Sequence, residues 1–540
     1  MTAAADLVLT NAEVHTLTAP DDRDETDADG DETYEAVAVR DGRVVRLSSA
    51  YEVDFLVGTD TRVVDLDGRV VLPGFVDAHT HLPMVGRRLV HVDLGGGSRD
   101  EALALLRERA DEHDTHDGDG QDGAGSEWVQ GFGYDESRWG DDRYLTREEL
   151  DAVSESRPVV AFREDMHVAG VNSVALDRLG LAAGDHGGDV RGEEGKATGV
   201  LVEEAVDAVW AAVAPSRAET RALLTAAQRH ANERGVTGVH DMVRQSYAPG
   251  VYRDLAAEGE LTLRVRLNYW ADHLDALREV GLRTNHGDNG SHGGLVEVGA
   301  IKTYTDGSFG GRTAKLSEPY ADADTTGQWV VSPEELAELV REATDAGFQV
   351  AAHAIGDRAV EAVLDAYAAV ERVEKGPGRH RIEHAELADD AAIERMADLG
   401  VVASVQPNFL KWADEDGLYD HRLGDRRLET NRYRAMREAG VPLAFGSDCM
   451  PLDPLLGVHH AVNAPHEDQR LPTTAALRAY TAGGAYAGFD EDRLGTLTVG
   501  RRVDLVALDD SPWEEDRVDE IDPVLTVVDG RVVYDASADS

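Results

Sequence analysis

Cysteine occurs once in the 540 residues, at Cys449. No disulfide can form within the chain and a thiolate-rich zinc site is excluded, which fits a reducing compartment. Cys449 has no recognisable base partner, so a nucleophilic role is not expected. Lysine is nearly as scarce, with Lys196, Lys302, Lys315, Lys375 and Lys411 the only examples. No apolar run reaches about 18 residues, and the N-terminus lacks a basic segment followed by an apolar core. These absences predict a soluble, cytoplasmic protein without a membrane partner. No basic patch is present to displace counterions, so a nucleic-acid partner is not expected either.

Negative charge is what the chain has in excess. There are 104 acidic against 53 basic residues, a formal net of −51. An acidic surface with Arg favoured over Lys is similar to that of proteins from salt-accumulating halophiles, where salt screens the self-repulsion. Two acidic stretches, Asp21 to Glu32 and Asp111 to Ser126, cannot bury a core and read as surface loops.

Residues 5–70 hold short apolar runs separated by turns such as Asp41-Gly42 and Asp67-Gly68, the pattern of a small antiparallel β unit. Residues 491–540 repeat that style, so both chain ends are expected to build one β-sandwich. Between them, apolar strands alternate with amphipathic helices, which predicts a parallel α/β architecture. The run Val70–Val76 reads as one buried strand. The later candidates are Gly238–Asp241, Leu263–Leu267, Val298–Lys302, Gln349–His353, Arg381–His384, Val402–Gln406 and Leu443–Ser447. Eight such strands suffice to close a (β/α)8 barrel. The barrel is assigned to 71–94 and 236–490. A further strand, Val159–Phe162, falls in 95–235, which is read as an inserted subdomain over the barrel mouth.

The chemistry is carried first by Asp77-Ala78-His79-Thr80-His81. Alternate residues on a strand share a face, so His79 and His81 present two imidazoles side by side where the strand ends. Two imidazoles are half of a tetrahedral metal site. Further candidate ligands close other strands: Lys302 on the fourth, His353 on the fifth, His384 on the sixth and Asp448 after the eighth. A barrel of this kind keeps its active site at those ends.

In this order the motifs resemble the amidohydrolase superfamily, in its YtcJ-like branch, which includes N-substituted formamide deformylase. The segments that carry the resemblance are Leu72–His81, Gly131–Trp139, His167 with Asn172-Ser173, Thr198–Leu201, Lys302–Arg312, His353–Arg358, Arg381–Glu386 and Gly446–Asp448. The resemblance implies a distorted (β/α)8 barrel flanked by a β-sandwich. It also implies a binuclear site in which His79, His81 and Asp448 hold one ion and His353 and His384 the other. Lys302, carboxylated by CO2, would bridge them, which removes the repulsion of an ammonium with a pKa near 10.4 for two cations. Zinc is the expected metal. Hydroxide formed from metal-held water, whose pKa falls to around 7, would attack the carbonyl. Asp448 would pass the proton to the leaving nitrogen.

The competing reading of Lys302 is a buried lysine paired with an acid such as Asp306, leaving a one-metal site. In the insertion, Tyr134, Trp139, Arg163, His167 and Asn172 are candidates for substrate contact, with packing of the subdomain as the alternative. Asp306, Arg312 and Gln406 lie just past strand ends and are candidates for the pocket wall. Asp357 and Arg358 read as a pair that fixes the loop after His353, and Glu203 as a helix-face acid. The expected function is hydrolysis of a non-peptide amide, N-acyl or N-formyl bond in a small molecule. Deamination or cyclic-amide opening is the nearer rival and a non-catalytic binding protein the remoter one. A homodimer is a family-level expectation.

Overall fold

The structure is a computed structural model and describes residues 4–18, 33–116, 127–136, 139, 143–164, 166, 168–202, 204–287, 294–371, 378–514 and 516–538. The backbone divides into two compact units: Met1–His81 with Gln228–Ser540, and Leu82–Ala227.

In the first unit eight parallel strands stand side by side in chain order. They are β1 (Phe75–Thr80), β2 (Val236–Val243), β3 (Arg264–Trp270), β4 (Val296–Tyr304), β5 (Val350–Ala354), β6 (Arg381–His384), β7 (Val402–Val405) and β8 (Leu443–Phe445). Nearly every residue of these strands is buried, as expected of a parallel sheet covered on both faces. Together they form an almost closed barrel, the predicted architecture. Among the described residues no ladder joins β8 to β1. The seam is held instead by the segment after β8. The Asp448 N–H donates to the His79 carbonyl at 2.8 Å. The Asp77 carboxylate accepts from the backbone N–H groups of Ser447 at 3.0 Å and His79 at 3.1 Å. Gly446 permits this approach, because a Cβ there would lie 2.4 Å from the His79 nitrogen.

Two expectations about strands are corrected. The run Val70–Val76 is two strands, Val70–Pro73 in a sandwich sheet and β1 in the barrel. The break falls at Gly74, whose N–H donates to Asp504 while the next, that of Phe75, donates to Gly235. A Cβ on Gly74 would meet Thr237 at 2.3 Å, so the switch between sheets needs glycine. Lys302 is not the end of its strand either, because β4 continues to Tyr304.

Both chain ends do build two further sheets. One has the order Arg43–Ser48, Ala36–Arg40, Leu7–Thr10, Arg62–Asp65. The other runs Arg531–Asp535, Pro523–Val528, Leu505–Leu508, Val70–Pro73, Glu13–His15, Thr33–Tyr34. Leu7, Leu9, Val37, Val71, Leu505, Leu525 and Val527 share one apolar core. The N-terminal part is not wholly antiparallel as expected. Leu7–Thr10 pairs in parallel with Arg62–Asp65, and Glu13–His15 with Val70–Pro73. Each of these pairs is separated by a segment long enough for a crossover, so a hairpin register is not imposed.

The second unit, Leu82–Ala227, holds a six-stranded mixed sheet in the order Val190–Glu193, Lys196–Val202, Val168–Val171, Val159–Arg163, Val129–Tyr134, Val92–Asp93. One face packs on Trp128, Phe132, Phe162 and Val209, the other on Leu106, Tyr134, Trp139 and Leu150. The acidic stretch from Asp111 is helical as far as His116, within the helix Arg99–His116, rather than a loop throughout. Its remainder and the stretch Asp21–Glu32 lie outside the described residues. Among the described residues no helix is long and apolar enough to cross a membrane.

Candidate active site

The ends of β1 and β6 and the turn after β8 bring three ligand-type side chains together. His79, His384 and Asp448 each offer an atom within 4.8 Å of the others. His81 joins them, its Nε2 3.4 Å from the Asp448 Oδ1, with the His79 Nε2 at 3.6 Å from the same oxygen. Two of the supporting turns take the left-handed backbone region: His384 and Ala385 at φ 74° and 47°, Asp448 and Cys449 at φ 49° and 56°. Such conformations cost non-glycine residues of order 1 kcal/mol each and persist only where the surroundings fix them.

The hydrogen bonds around the rings assign their protons. The His79 Nδ1 lies 2.6 Å from the Glu383 Oε2, and a carboxylate only accepts. Nδ1 therefore carries the hydrogen and Nε2 the lone pair, on the side of Asp448. The His384 Nδ1 lies 2.7 Å from the Gln406 Oε1, which assigns the same tautomer. The His353 Nε2 lies 3.0 Å from the Gly307 carbonyl, so its lone pair is on Nδ1. Burial, with the charge of Lys302 next, pushes the His81 imidazole down to about 4. Burial first, then neighbouring His and Lys302, holds His79 and His384 well below the usual imidazole range. All three are neutral at pH 7, the state that binds a metal.

Glu383 is fully buried and stays ionised. Burial alone would raise its pKa, but Arg381 and then Lys302 outweigh that and the net shift is downward. Arg381 grips it with two hydrogen bonds, Nε to Oε1 at 2.8 Å and Nη2 to Oε2 at 3.1 Å. Lys302 is fully buried too, and its Nζ has no hydrogen-bond partner among the described residues. Burial pushes its amine down to about 8 against the pull of Glu383 and Asp448.

This donor set fits a divalent metal. Neutral imidazoles and a carboxylate suit zinc and its neighbours. The ammonium of Lys302 does not fit beside a cation. Beside a cation the amine fits without its proton, a state that burial brings closer to neutral pH. Asp306 is not its partner: that carboxylate accepts the backbone N–H groups of Lys315, Ile355 and Gly356. The structure thus places Asp306 as a buried loop anchor rather than a pocket wall, 3.6 Å from the His353 Nε2.

Other candidates are also placed. Gln406 orients His384. Arg312 is ion-paired with Asp322 at 2.6 Å. Asp357 accepts from Ser317, and Arg358 pairs with Glu361, so these two do not form the expected pair. In the second unit Tyr134 and Trp139 stack with centroids 5.4 Å apart inside a core, and Trp139 donates to the Gly97 carbonyl. Arg163 pairs with Glu136 at 2.8 Å. Asn172 caps the helix Ser173–Leu179 and donates to the Ser154 and Arg157 carbonyls, so its amide is fully engaged in local structure. His167 and Glu203 lie outside the described residues. Glu383 is a site residue that the motif reading does not single out. The signal for Glu383 was Arg381-Ile382-Glu383, two opposite charges sharing one face of a buried strand.

Comparison with known proteins identifies the family. The family described as "Amidohydrolase family" matches residues 62–534. The putative amidohydrolase YtcJ of Bacillus subtilis is 33% identical over 94% of this chain and 97% of its own. The N-substituted formamide deformylase of Arthrobacter pascens is 29% identical over 99% of each. A solved structure of an uncharacterized metal-dependent hydrolase from Pyrococcus horikoshii superposes with a TM-score of 0.76 at 29% identity, covering 95% of this chain and 99% of that one.

Proposed function

The chain belongs to the amidohydrolase family, and from that premise we propose that it hydrolyses the amide, N-acyl or N-formyl bond of a small molecule. The class is that of metal-dependent hydrolases acting on carbon–nitrogen bonds other than peptide bonds. The observation that carries the reading is the convergence of His79, His384 and Asp448 within 4.8 Å at the barrel's strand ends.

When bound, a divalent metal supplies polarisation of a carbonyl oxygen and a lower pKa for the attacking water. His79 and His81 would hold it through neutral nitrogens, together with Asp448. His353 and His384 would hold a second. Lys302 would complete the pair after its neutral amine adds to CO2, which forms an N–C bond, releases one proton and leaves an anionic carbamate. The downward shift of its pKa to about 8 supports this step. Asp448, its Oδ1 on the side of both first-strand imidazoles, would take the proton of the attacking water and return it to the nitrogen as the C–N bond breaks. A carboxylic acid and a neutral amine result.

A one-metal site is the second reading. What favours it is that the three converging donors do not include His353, whose Nε2 faces the Gly307 carbonyl. Metal content separates the two, with two equivalents of zinc and a carbamate signal from labelled CO2 expected for the first. The function itself is tested on N-formyl and N-acyl amines, with cyclic amides and amidines included. Activity is expected with added zinc and its loss in His79→Ala and Asp448→Asn. Metal content below about 0.3 per chain, with no activity gained from zinc, manganese or cobalt, would refute it.

A further inference from the structure

Four neighbouring strands carry a continuous stack along one arc of the barrel rim. Arg244 follows β2 directly, Trp270 is the last residue of β3, Tyr304 the last of β4, and His353 lies in β5. The Arg244 guanidinium sits 4.7 Å from the Trp270 ring centroid. Trp270 and Tyr304 stack at 4.6 Å with planes 28° apart, and Tyr304 and His353 at 4.6 Å and 25°. The inner end of the stack is one of the candidate metal ligands. The outer end is an exposed cation.

That cation is unusual in its setting. The chain has 104 acidic and 53 basic residues. Arg312, Arg358, Arg381 and Arg422, which also lie on or after barrel strands, each pair with a carboxylate. Arg244 makes no ion pair among the described residues, although Asp272 is close enough to its neighbour Gln245 to accept a hydrogen bond at 3.2 Å. The Trp270 ring lies under the guanidinium carbon, and the guanidinium N–H groups make no hydrogen bond or ion pair among the described residues. Those groups form the planar fork that matches a carboxylate in a bidentate contact.

We propose that Arg244 anchors a carboxylate of the substrate, three stacked layers out from His353, with the Trp270 and Tyr304 rings forming the wall between anchor and scissile bond. The substrate class is then an N-acylated amino carboxylate with an extended or flat spacer, rather than a neutral amide. This rests on the reading of the strand-end cluster as an amide hydrolase.

The test uses the zinc-supplemented full-length protein and a series of N-acetyl ω-amino carboxylates of increasing chain length, each matched with an N-alkylacetamide of equal length. Ligand-observed NMR titration gives the Kd and reports any cleavage in the same tube. At the best chain length the carboxylate is expected to bind about 10-fold tighter than its neutral match. Arg244→Gln is expected to bring that ratio close to one, and Arg244→Lys to restore part of it. No preference in the wild type, no binding of either series, or an unchanged ratio in Arg244→Gln would each overturn the inference. A carboxylate preference without cleavage upholds the anchor and counts against the hydrolase reading. Cleavage of neutral amides without a preference does the reverse.

Discussion

Glu383 sits between the Arg381 guanidinium and the His79 ring and decides which nitrogen of that ring is left to bind a metal. Partners of this kind typically tune metal affinity by 10- to 100-fold. Glu383→Gln keeps the shape and removes the charge. We expect it to weaken zinc binding by roughly 10-fold in a chelator competition, with the helical circular dichroism of the metal-free protein retained. Unchanged zinc affinity would mean that the tautomer of His79 is fixed elsewhere. His79, His81, His353, His384 and Asp448 were legible as candidates because each closes a predicted strand or follows one. The contacts of Asn172, Tyr134 and Trp139 were not. Whether a polar or aromatic side chain faces a core or a pocket depends on long-range packing, and short motifs leave that open. Gln406 shows an intermediate case: its position past β7 was legible, but its role as the hydrogen-bond partner of His384 required the neighbouring strand.

Among the elements, the seam between β8 and β1 is the most exacting. A Cβ on Gly446 would lie 2.4 Å from the His79 nitrogen and 2.8 Å from its Cβ. Gly446→Ala should force β8 outward, cost roughly 1–3 kcal/mol in urea unfolding, and lower zinc affinity at the same time. Wild-type values for both would show that the seam can relax. The start of β5 offers a pH-dependent contact, where the His380 Nδ1 accepts the Val350 N–H at 3.1 Å. Burial pushes this imidazole from 6.5 down to about 4. Its contribution is therefore present above pH 6.5 and is lost as pH falls towards 4, because the unfolded chain takes the proton first. Between pH 7 and 5 this amounts to about 2 kcal/mol of lost stability. Replacing His380 by Gln, which offers an oxygen acceptor without titrating, should make the measured loss over that range smaller by about the same amount; an identical slope in the two proteins would exclude His380. Strands such as β5 and β7 were readable because fully buried parallel strands are largely apolar, whereas β6, Arg381-Ile382-Glu383-His384, is no apolar run. The division of Val70–Val76 was not, since nothing in an apolar run says which of two sheets each half joins.

At the scale of the whole molecule the dominant quantity is the net charge of −51. Self-repulsion of this size acts over a Debye length of about 10 Å in 0.1 M salt and about 3 Å in 1 M. If the acidic surface is a halophilic adaptation, raising KCl from 0.1 to 2 M should raise the Tm by roughly 10 °C or more. A Tm that is flat with salt, followed by circular dichroism at constant pH, would assign the acid another role. The two compact units and the joining of both chain ends in a sandwich also belong to this scale. The pairing of Leu505–Leu508 with Val70–Pro73 brings together segments hundreds of residues apart, and only the like pattern of short apolar runs at the two ends hinted at such a joining. The seam has one further consequence, for reading descent. Asp77 and Gly446 close the barrel whether or not any reaction takes place, so a lineage that had abandoned hydrolysis would still be selected to keep them. Lys302 and His353 make no comparable contribution to closure and would be free to drift. A survey that counts enzymes by the first pair would overcount them, and the second pair is the better census.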